Sequence, residues 1–163
     1  MNRKIYLLLL ACCCLLSTCV SSKGKRANNN GCKITITQGL AGKVIWREGN
    51  HRPTKEGKTG IEKGIQRQLY VYELTKPNQI DKEGKFYNTP KTKLIRKLKS
   101  DAKGCFQAEL PEGAYSIFVE ENIGGKTLFY ANSFDTEMNI NKFSIEQGKI
   151  TEITLIIDYQ AKY

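Results

Sequence analysis

Apolar and polar residues alternate along most of the chain after residue 32. In residues 67–75, RQLYVYELT, alternation puts Leu69 and Val71 on one face and Tyr70 and Tyr72 on the other. This period of two is typical of β-strands, and no segment past residue 32 sustains a helical period. The nine segments with strand character are 34–36, 44–46, 67–75, 92–100, 104–110, 113–121, 125–134, 141–147 and 149–159. Separated by Gly, Pro, Asn and Asp, they predict an all-β sandwich or barrel.

Several of these segments carry a set of apolar side chains on one face, which we expect to face the core. The sets are Leu94 and Leu98; Phe106, Ala108 and Leu110; Tyr115, Ile117 and Val119; and Ile153, Leu155 and Ile157. Two connections, residues 47–68 and 76–92, are long and contain Gly and Pro. Because long loops in compact domains are usually functional or disordered, we expect contacts with partners there first.

The first 19 residues follow a different pattern. A start with Arg3 and Lys4 precedes an apolar run, residues 5–16, which is shorter than the roughly 20 residues of a membrane-spanning helix. This arrangement is typical of a secretory signal. Its end, Leu16-Ser17-Thr18-Cys19, resembles the bacterial lipobox, although Thr18 departs from the commoner Gly, Ala or Ser. The resemblance implies cleavage before Cys19, a diacylglycerol on its thiol and acylation of the new amino end.

Three alternatives remain at this end of the chain. Leu9-Leu10-Ala11-Cys12 is a second box, but it would leave a very short apolar region before cleavage. The others are an ordinary cleaved signal whose cysteines are incidental and, less favoured, a retained uncleaved anchor. With the lipobox hypothesis the chain divides into a lipoprotein signal peptide (1–18), a lipidated cysteine with a flexible tether (19–32) and a β-sandwich domain (33–163).

The tether is polar and rich in Ser, Asn and Gly, which is typical of a flexible linker. Its charges, Lys23, Lys25 and Arg26, either lie against anionic head groups or are simply solvated. A chain anchored in this way is expected in the bacterial cell envelope, on the outer membrane. The segment after Cys19 is basic, not an acidic run resembling a surface-export signal, so we expect the anchor to face the periplasm.

The charge of the chain is unevenly distributed. The net charge of the 163 residues is +10. Residues 43–103 hold 16 Lys and Arg against 7 acids, whereas residues 104–163 hold 4 against 9. A basic face would suit an anionic lipid or polymer. Nucleic acid is not expected as a partner, because the chain is addressed out of the cytoplasm and has no nucleic-acid motif.

After Cys19 only two cysteines remain, Cys32 and Cys105. An oxidising compartment would permit a disulfide between them. Two unpaired thiols are the alternative, since the sequence does not give the distance between their Cα atoms.

The stretch from Leu98 to Glu121, LKSDAKGCFQAELPEGAYSIFVEE, has a recognisable order of residues. Asp101, Gly104 and Phe106 are followed by Leu110-Pro111-x-Gly113 and Tyr115. It resembles the D-x-x-G-x-F…L-P-x-G-x-Y signature of carboxypeptidase regulatory-like domains, except that a cysteine stands at 105. The resemblance implies a transthyretin-like (Ig-like) β-sandwich of about seven to nine strands. It also implies a spacing, folding or docking module without catalytic machinery, as in small lipoproteins of Bacteroidetes type.

The glycines of this signature suit positive φ angles at the strand starts. We expect the two aromatic residues, Phe106 and Tyr115, to pack inside the sandwich.

Catalysis has little support in the sequence. His51 is the only histidine, so a zinc peptidase site and a Ser–His or Cys–His pair would both depend on it. A transthyretin-like hydrolase, which uses more than one histidine, is disfavoured for the same reason. We therefore expect no enzyme and no cofactor.

One weak metal candidate remains. Asp135, Glu137, Asn139, Asn141 and Glu146 have the spacing of a calcium loop. Ile140 stands where such a loop needs glycine, and the flanks resemble strands. The alternative is a polar hairpin without metal.

Aromatic side chains offer a further binding hypothesis. The candidates for a carbohydrate or peptide platform are Tyr70, Tyr72, Tyr87, Phe129 and Tyr130. Most aromatics of a β-sandwich fill its core instead. The sequence thus favours a non-enzymatic envelope lipoprotein that acts as an interaction or structural module, with an envelope protein or glycan as partner. The second hypothesis is a protein that binds carbohydrate or an anionic envelope polymer.

Overall fold

The computed structural model describes residues 31–53, 57 and 59–163, together with the backbone of residues 26–27. The signal segment and the lipidation candidate Cys19 lie outside the described residues. The strands are β1 (Arg26–Ala27), β2 (Lys33–Ile34), β3 (Gly39–Asn50), β4 (Ile61–Gly64), β5 (Gln68–Glu73), β6 (Lys82–Glu83), β7 (Phe86–Tyr87), β8 (Leu94–Lys99), β9 (Cys105–Ala108), β10 (Gly113–Ile123), β11 (Lys126–Tyr130), β12 (Lys142–Ile145) and β13 (Ile150–Lys162). A single 3₁₀ turn, Pro77–Gln79, precedes β6 among the described residues.

Two sheets form the body of the protein. The seven-stranded sheet is antiparallel in the order β6-β7-β11-β10-β5-β8, and β12 pairs with the first part of β10. In the four-stranded sheet β3 pairs with β13 in parallel on one side, and with β9 and β4 in antiparallel on the other. The prediction of an all-β sandwich is confirmed. Within the described residues no helix has the length and apolar composition needed to cross a membrane.

The main core lies between the two sheets. It contains alternate residues of the central strands, among them Leu40 and Val44 of β3, Ile117 and Val119 of β10, and Ile157 of β13. Alternation along each strand directs these side chains inward, where burying each contributes about 1.5–3 kcal/mol. Three of the four predicted apolar sets therefore face the core.

The prediction for Leu94 is wrong. A register shift between β5 and β8 changes which residues of β8 face inward. Ile95 and Leu98 pack against the core, and Leu94 is 37% exposed. A bulge of this kind is invisible to a simple alternation pattern.

The outer face of the seven-stranded sheet is also buried. Tyr72, Phe118 and Phe129 of the central strands pack there beneath Ile80 and Ile140, which come from connecting segments. The predicted open connection 76–92 thus contains a 3₁₀ turn and the hairpin β6–β7, and it covers the sheet. The other long connection is shorter than predicted, since β3 extends to Asn50 and β4 occupies Ile61–Gly64.

The segment with the domain-like signature folds around two glycines. Gly104 and Gly113 have φ angles of +85° and +150°, as the sequence predicts. The Oδ1 atom of Asp101 accepts hydrogen bonds from two backbone amides of the turn, each at 2.8 Å. Phe106 and Tyr115 are both buried, in agreement with the local prediction.

A disulfide joins Cys32 to Cys105, with 5.6 Å between their Cα atoms. It attaches the residue before β2 to the first residue of β9. Cys32 is 3% exposed and β1 pairs with β2, so ordered contacts begin before residue 33, the predicted start of the domain.

The basic and acidic parts of the sequence are interleaved in space. β3 and β5 come from the basic part, and their partners β13 and β10 come from the acidic part. The ion pair of Arg67 with Glu121 joins the two parts at 2.6 Å. The uneven distribution of charge along the sequence therefore does not create two oppositely charged halves of the folded protein.

Candidate functional site

Two cavities lie at opposite edges of the sandwich. The basic cavity, about 560 Å³, is at the edge of β8 and β9; it is lined by Gly31, Cys32, Lys33, Gln66, Lys99, Ser100, Asp101, Lys103, Cys105, Phe106 and Gln107. The aromatic groove, about 380 Å³, is at the edge of β7 and β13; it is lined by Lys82, Lys85, Tyr87, Tyr130, Ala131, Asn132, Phe134, Asp158, Tyr159, Ala161 and Tyr163. Both volumes fall in the lower half of the range of about 300–1,000 Å³ that is typical of small-molecule sites.

The basic cavity surrounds the disulfide. Lys33, Lys99 and Lys103 line it, and none of them forms an ion pair with a carboxylate in the described part of the chain. The hydroxyl of Ser100 donates to the Ile65 carbonyl at 2.9 Å and accepts from a backbone amide. Its role is therefore to hold the chain in place, and the cavity is a polar, positively charged surface.

The aromatic groove has a buried floor and an exposed rim. Tyr130 and Tyr159 pack edge to face with ring centroids 5.4 Å apart, and Phe86 packs against Tyr159 at 4.9 Å. On the rim Phe134 is 46% exposed and Tyr163 is 58% exposed. Two exposed aromatic rings beside a cavity make this edge a candidate interaction site.

The Asp158 carboxylate accepts three hydrogen bonds at the base of the groove. Its Oδ1 accepts from the Tyr130 hydroxyl at 2.6 Å and from Asn132 Nδ2 at 3.1 Å, and its Oδ2 accepts from the Tyr163 hydroxyl at 2.7 Å. Burial acts to raise the pKa of Asp158, but these donors outweigh it and the pKa is lowered. The carboxylate is therefore ionised at neutral pH and fixes the orientation of two tyrosines.

Tyr159 links the groove to the interior. Its hydroxyl donates to Glu121 Oε2 at 3.1 Å, and Glu121 is also the partner of Arg67. Burial, with Glu121 close by, raises the pKa of Tyr159 to about 12. The guanidinium of Arg67 lies 5.7 Å from the ring centre of Trp46, and Trp46 packs edge to face on Tyr159.

His51, the only histidine, supports the rim. Its ring lies 5.9 Å from that of Tyr163, and its Nε2 is 3.2 Å from the Glu48 carbonyl oxygen. A Cβ atom on Gly60 would come within 2.4 Å of this ring. In the described part of the chain, the His51 ring thus packs against Tyr163 and forms a hydrogen bond with a backbone carbonyl, and neither contact is with a Ser or Cys side chain.

Phe134 reaches the groove from a turn that is closed by its β-bridge with Ile140 and contains three of the calcium candidates, Asp135, Glu137 and Asn139. Asp135 Oδ1 accepts from the backbone amides of Glu137 and Asn139 at 2.9 and 2.8 Å. Its Oδ2 accepts from Asn139 Nδ2 at 2.8 Å and pairs with Lys142 at 3.0 Å. The hydrogen bonds of Asn139 are the main cause that lowers the pKa of Asp135.

The five calcium candidates do not come together as one ligand set. Asn141 accepts from Ser133 and donates to the Ile117 carbonyl, and Glu146 pairs with Lys149. No group of three His, Cys, Asp or Glu side chains in the described ranges is placed to hold a metal ion. The Lys142 ammonium already pairs with Asp135, so these contacts favour the alternative of a polar hairpin.

The aromatic candidates are mostly core residues. Tyr72, Tyr87, Phe129 and Tyr130 are buried, and only Tyr87 and Tyr130 reach the groove. Tyr70 is partly exposed and donates a hydrogen bond to Glu120, which is the main cause that raises its pKa to about 12.

Sequence reasoning identified only part of the groove. Lys82, Lys85 and Tyr87 belong to the connection 76–92, where contacts were expected, and Tyr130 was an aromatic candidate. The polar and aromatic residues that it did not single out are Asn132, Phe134, Asp158, Tyr159 and Tyr163. The available signal was Phe134, a large aromatic residue surrounded by Asn, Ser, Asp and Thr at the end of the predicted strand segment 125–134. Comparison with known proteins gives no match: no family model fits the chain, and no curated protein and no solved structure is significantly similar to it.

Proposed function

We propose that this chain is a non-enzymatic lipoprotein, anchored through Cys19 to the outer membrane and facing the periplasm, whose sandwich is an interaction module of the cell envelope. The observation that supports this best is the separation of two surfaces. The chain joins the sandwich at Cys32, beside the basic cavity, and the aromatic groove lies at the opposite edge.

The distances agree with this arrangement. Four strand spacings separate β8 from β7, which is about 19 Å. Seven positions separate Cys19 from β1 (Arg26–Ala27), which pairs with β2, and a flexible linker of that length would have a root-mean-square span of about 15 Å. A lipid on Cys19 would therefore keep the basic edge near the head groups, where each lysine contributes about 1 kcal/mol on an anionic surface. The aromatic groove would point away from the membrane.

The carboxypeptidase regulatory-like assignment remains part of the proposal. Its support is local: Asp101 closes the turn, Gly104 and Gly113 have positive φ, and Phe106 and Tyr115 are buried. Such a domain spaces or docks other envelope proteins and has no catalytic machinery.

The test is the intact mass and the membrane fractionation of the full-length protein from native cells. We expect a mass that begins at Cys19 and includes acyl chains, and a Cys19→Ser variant that is no longer extracted with the membrane. Cys12→Ser, at the competing box, is the matched control and should be processed normally. A mass without lipid, or processing at Cys12, would contradict the anchor, and degradation by protease added to intact cells would contradict the orientation.

A second candidate function is the binding of carbohydrate or of an anionic envelope polymer. The exposed rings of Phe134 and Tyr163, with Lys82 and Lys85 in the same groove, favour it. Salt-sensitive retention of the protein on an immobilised glycan would support this function.

A further inference from the structure

The aromatic groove combines three chemical features that a single ligand class would use. Its rim has two exposed rings, Phe134 and Tyr163. Its base has hydrogen-bonding groups, the Asp158 carboxylate and the Asn132 amide. Its lining also includes two lysines, which are considered below.

The lysines of the groove are the least compensated charges in it. The Nζ of Lys85 donates to the Tyr159 carbonyl at 2.8 Å, and the Nζ of Lys82 lies 6.0 Å from the ring centre of Tyr87. Neither lysine forms an ion pair with a carboxylate in the part of the chain that the structure describes. The one carboxylate of the lining, Asp158, already accepts three hydrogen bonds. The groove therefore attracts a negative charge.

Hydrogen bonds hold the ring of Tyr163 and the backbone of Phe134 in position before any ligand arrives. Tyr163 is fixed by its hydrogen bond to Asp158 and by Arg52, whose Nε donates to the Tyr163 carbonyl at 2.7 Å. Phe134 forms a β-bridge with Ile140, whose amide donates to the Thr75 carbonyl at 2.9 Å. A rim fixed in this way loses little conformational entropy when it binds.

From these features we infer that the aromatic groove binds an acidic sugar unit of a polysaccharide, deepening the second candidate function. One apolar face of the sugar ring packs on Phe134 or Tyr163. Its carboxylate meets Lys82 and Lys85, and its hydroxyls bond to the groups around Asp158. The volume of about 380 Å³ suits one or two sugar rings of a chain that continues past the open ends.

The experiment is a calorimetric titration of full-length protein in detergent with hexamers of galacturonate, glucuronate and mannuronate. A neutral glucose hexamer and polyaspartate are the comparison ligands. We expect at least one acidic hexamer to bind ten times more tightly than the neutral hexamer, and polyaspartate not to bind. Failure of all three acidic hexamers, or equal affinity for either comparison ligand, would overturn the inference.

Variants separate the stacking contribution from the charge contribution. Phe134→Ala and Tyr163→Ala together should weaken binding tenfold or more, while Tyr163→Phe, which keeps the ring, should weaken it less than threefold. Lys82→Gln with Lys85→Gln should remove most of the preference for the acidic hexamer. Binding that survives both pairs of substitutions would place the ligand elsewhere.

Matched controls lie outside the groove. Ile61 is 51% exposed on β4, and Lys149 is an exposed lysine near the start of β13. Ile61→Ala and Lys149→Gln should each change the affinity less than twofold. The mass at Cys19, measured on the same preparation, reports the anchor independently, so a protein that is lipidated but binds no sugar would contradict this inference alone.

Discussion

The two edges of the sandwich are built from different kinds of residues. At the β8–β9 edge a disulfide, polar side chains and lysines surround the point where the chain enters. At the β7–β13 edge aromatic rings and a hydrogen-bonded carboxylate form a groove. In the proposal above, the first edge attaches the protein to a charged surface and the second binds a ligand. The two edges share no lining residue, so each proposed role can be tested by substitutions that leave the other edge intact.

The edges also differ in how their strands avoid pairing with other chains. β8 has a bulge and exposed charges, among them Lys97 and Lys99. β13 is long, but side chains cover part of its free side: Asn132 donates to the Ile156 carbonyl at 3.1 Å and Lys85 to the Tyr159 carbonyl at 2.8 Å. Charges, bulges and side-chain cover are known ways to block edge-to-edge association.

The largest expected effect is at the β8–β9 edge. Cys32 and Cys105 are 73 residues apart, and cross-linking a loop of that size stabilises a fold by about 4 kcal/mol. We expect Cys105→Ser to lower the free energy of unfolding by about that amount, measured by urea denaturation.

The control for this prediction is the partner cysteine. Cys32→Ser and the double variant should each lose as much as Cys105→Ser, because all three remove the same bond. A reductant should destabilise the wild-type protein and leave the variants unchanged. Equal stability of wild type and Cys105→Ser would contradict the prediction.

The next effect concerns the ion pair that connects the interior to the groove. Glu121 has a side chain that is 5% exposed, whereas that of Arg67 is 32% exposed. Arg67→Met leaves Glu121 with only the Tyr159 hydroxyl, so we expect a loss of about 2–3 kcal/mol, less than for a fully buried pair.

A double variant, Arg67→Met with Glu121→Gln, sharpens this result. It removes both charges and should recover part of the lost stability, as measured in urea. Lys126→Gln, which breaks the exposed pair with Glu83, is the matched control and should cost no more than about 1 kcal/mol. If Arg67→Met and Lys126→Gln lowered the free energy of unfolding by the same amount, burial of Glu121 would not be the cause of the loss.

The free energy of unfolding should depend on alkaline pH through the Tyr159 hydroxyl in the groove. Tyr159 has its pKa raised to about 12 in the folded protein, above the value of about 10 for an exposed tyrosine. Its contribution is therefore complete below pH 10 and is lost as the pH rises towards 12, by about 1–2 kcal/mol after allowance for partial exposure.

The measurement is urea denaturation of the wild type and of Tyr159→Phe at pH 9, 10 and 11. The stability of wild type should fall more steeply than that of the variant, which lacks the titrating hydroxyl. Titration of other tyrosines and of lysines is common to both proteins and cancels in the difference. Parallel curves would contradict the role given to Tyr159.

Local pattern was enough to predict most of the longer strands and most of the inner face of the sandwich, but not the short strands β4, β6 and β7. Alternation predicted that Ile117 and Val119 face inward, and both are buried in the structure. Phe118 is between them and is completely buried as well, under Ile80 and Ile140 from distant connections. A period of two cannot show such a cover, because the cover comes from residues far away in the sequence.

The sequence could not show that the groove residues meet in one cavity, for a related reason. Phe134 and Asp158 are 24 residues apart and belong to different parts of the fold, so only the packing of the two sheets brings them to one cavity. The disulfide shows the same limit. The sequence allowed a bond between Cys32 and Cys105, but the distance of 5.6 Å between their Cα atoms depends on β9 pairing with β3.

The smallest effect on stability is expected from the lysines of the basic cavity. The same lysines test whether this edge, and not the groove, binds the membrane surface. Lys99→Gln with Lys103→Gln should change the free energy of unfolding by less than about 0.5 kcal/mol, since surface substitutions seldom do more. In the unlipidated Cys19→Ser protein the same pair should weaken binding to vesicles that contain anionic lipid by several-fold, in a cosedimentation assay at low salt. Raising the salt to 0.5 M should remove the difference, because screening then acts within a few ångströms.

Lys82→Gln with Lys85→Gln removes the same charge from the groove and should leave vesicle binding unchanged. If both pairs weakened vesicle binding equally, the membrane would be sensing the net charge of the protein, and the assignment of attachment to one edge would be wrong.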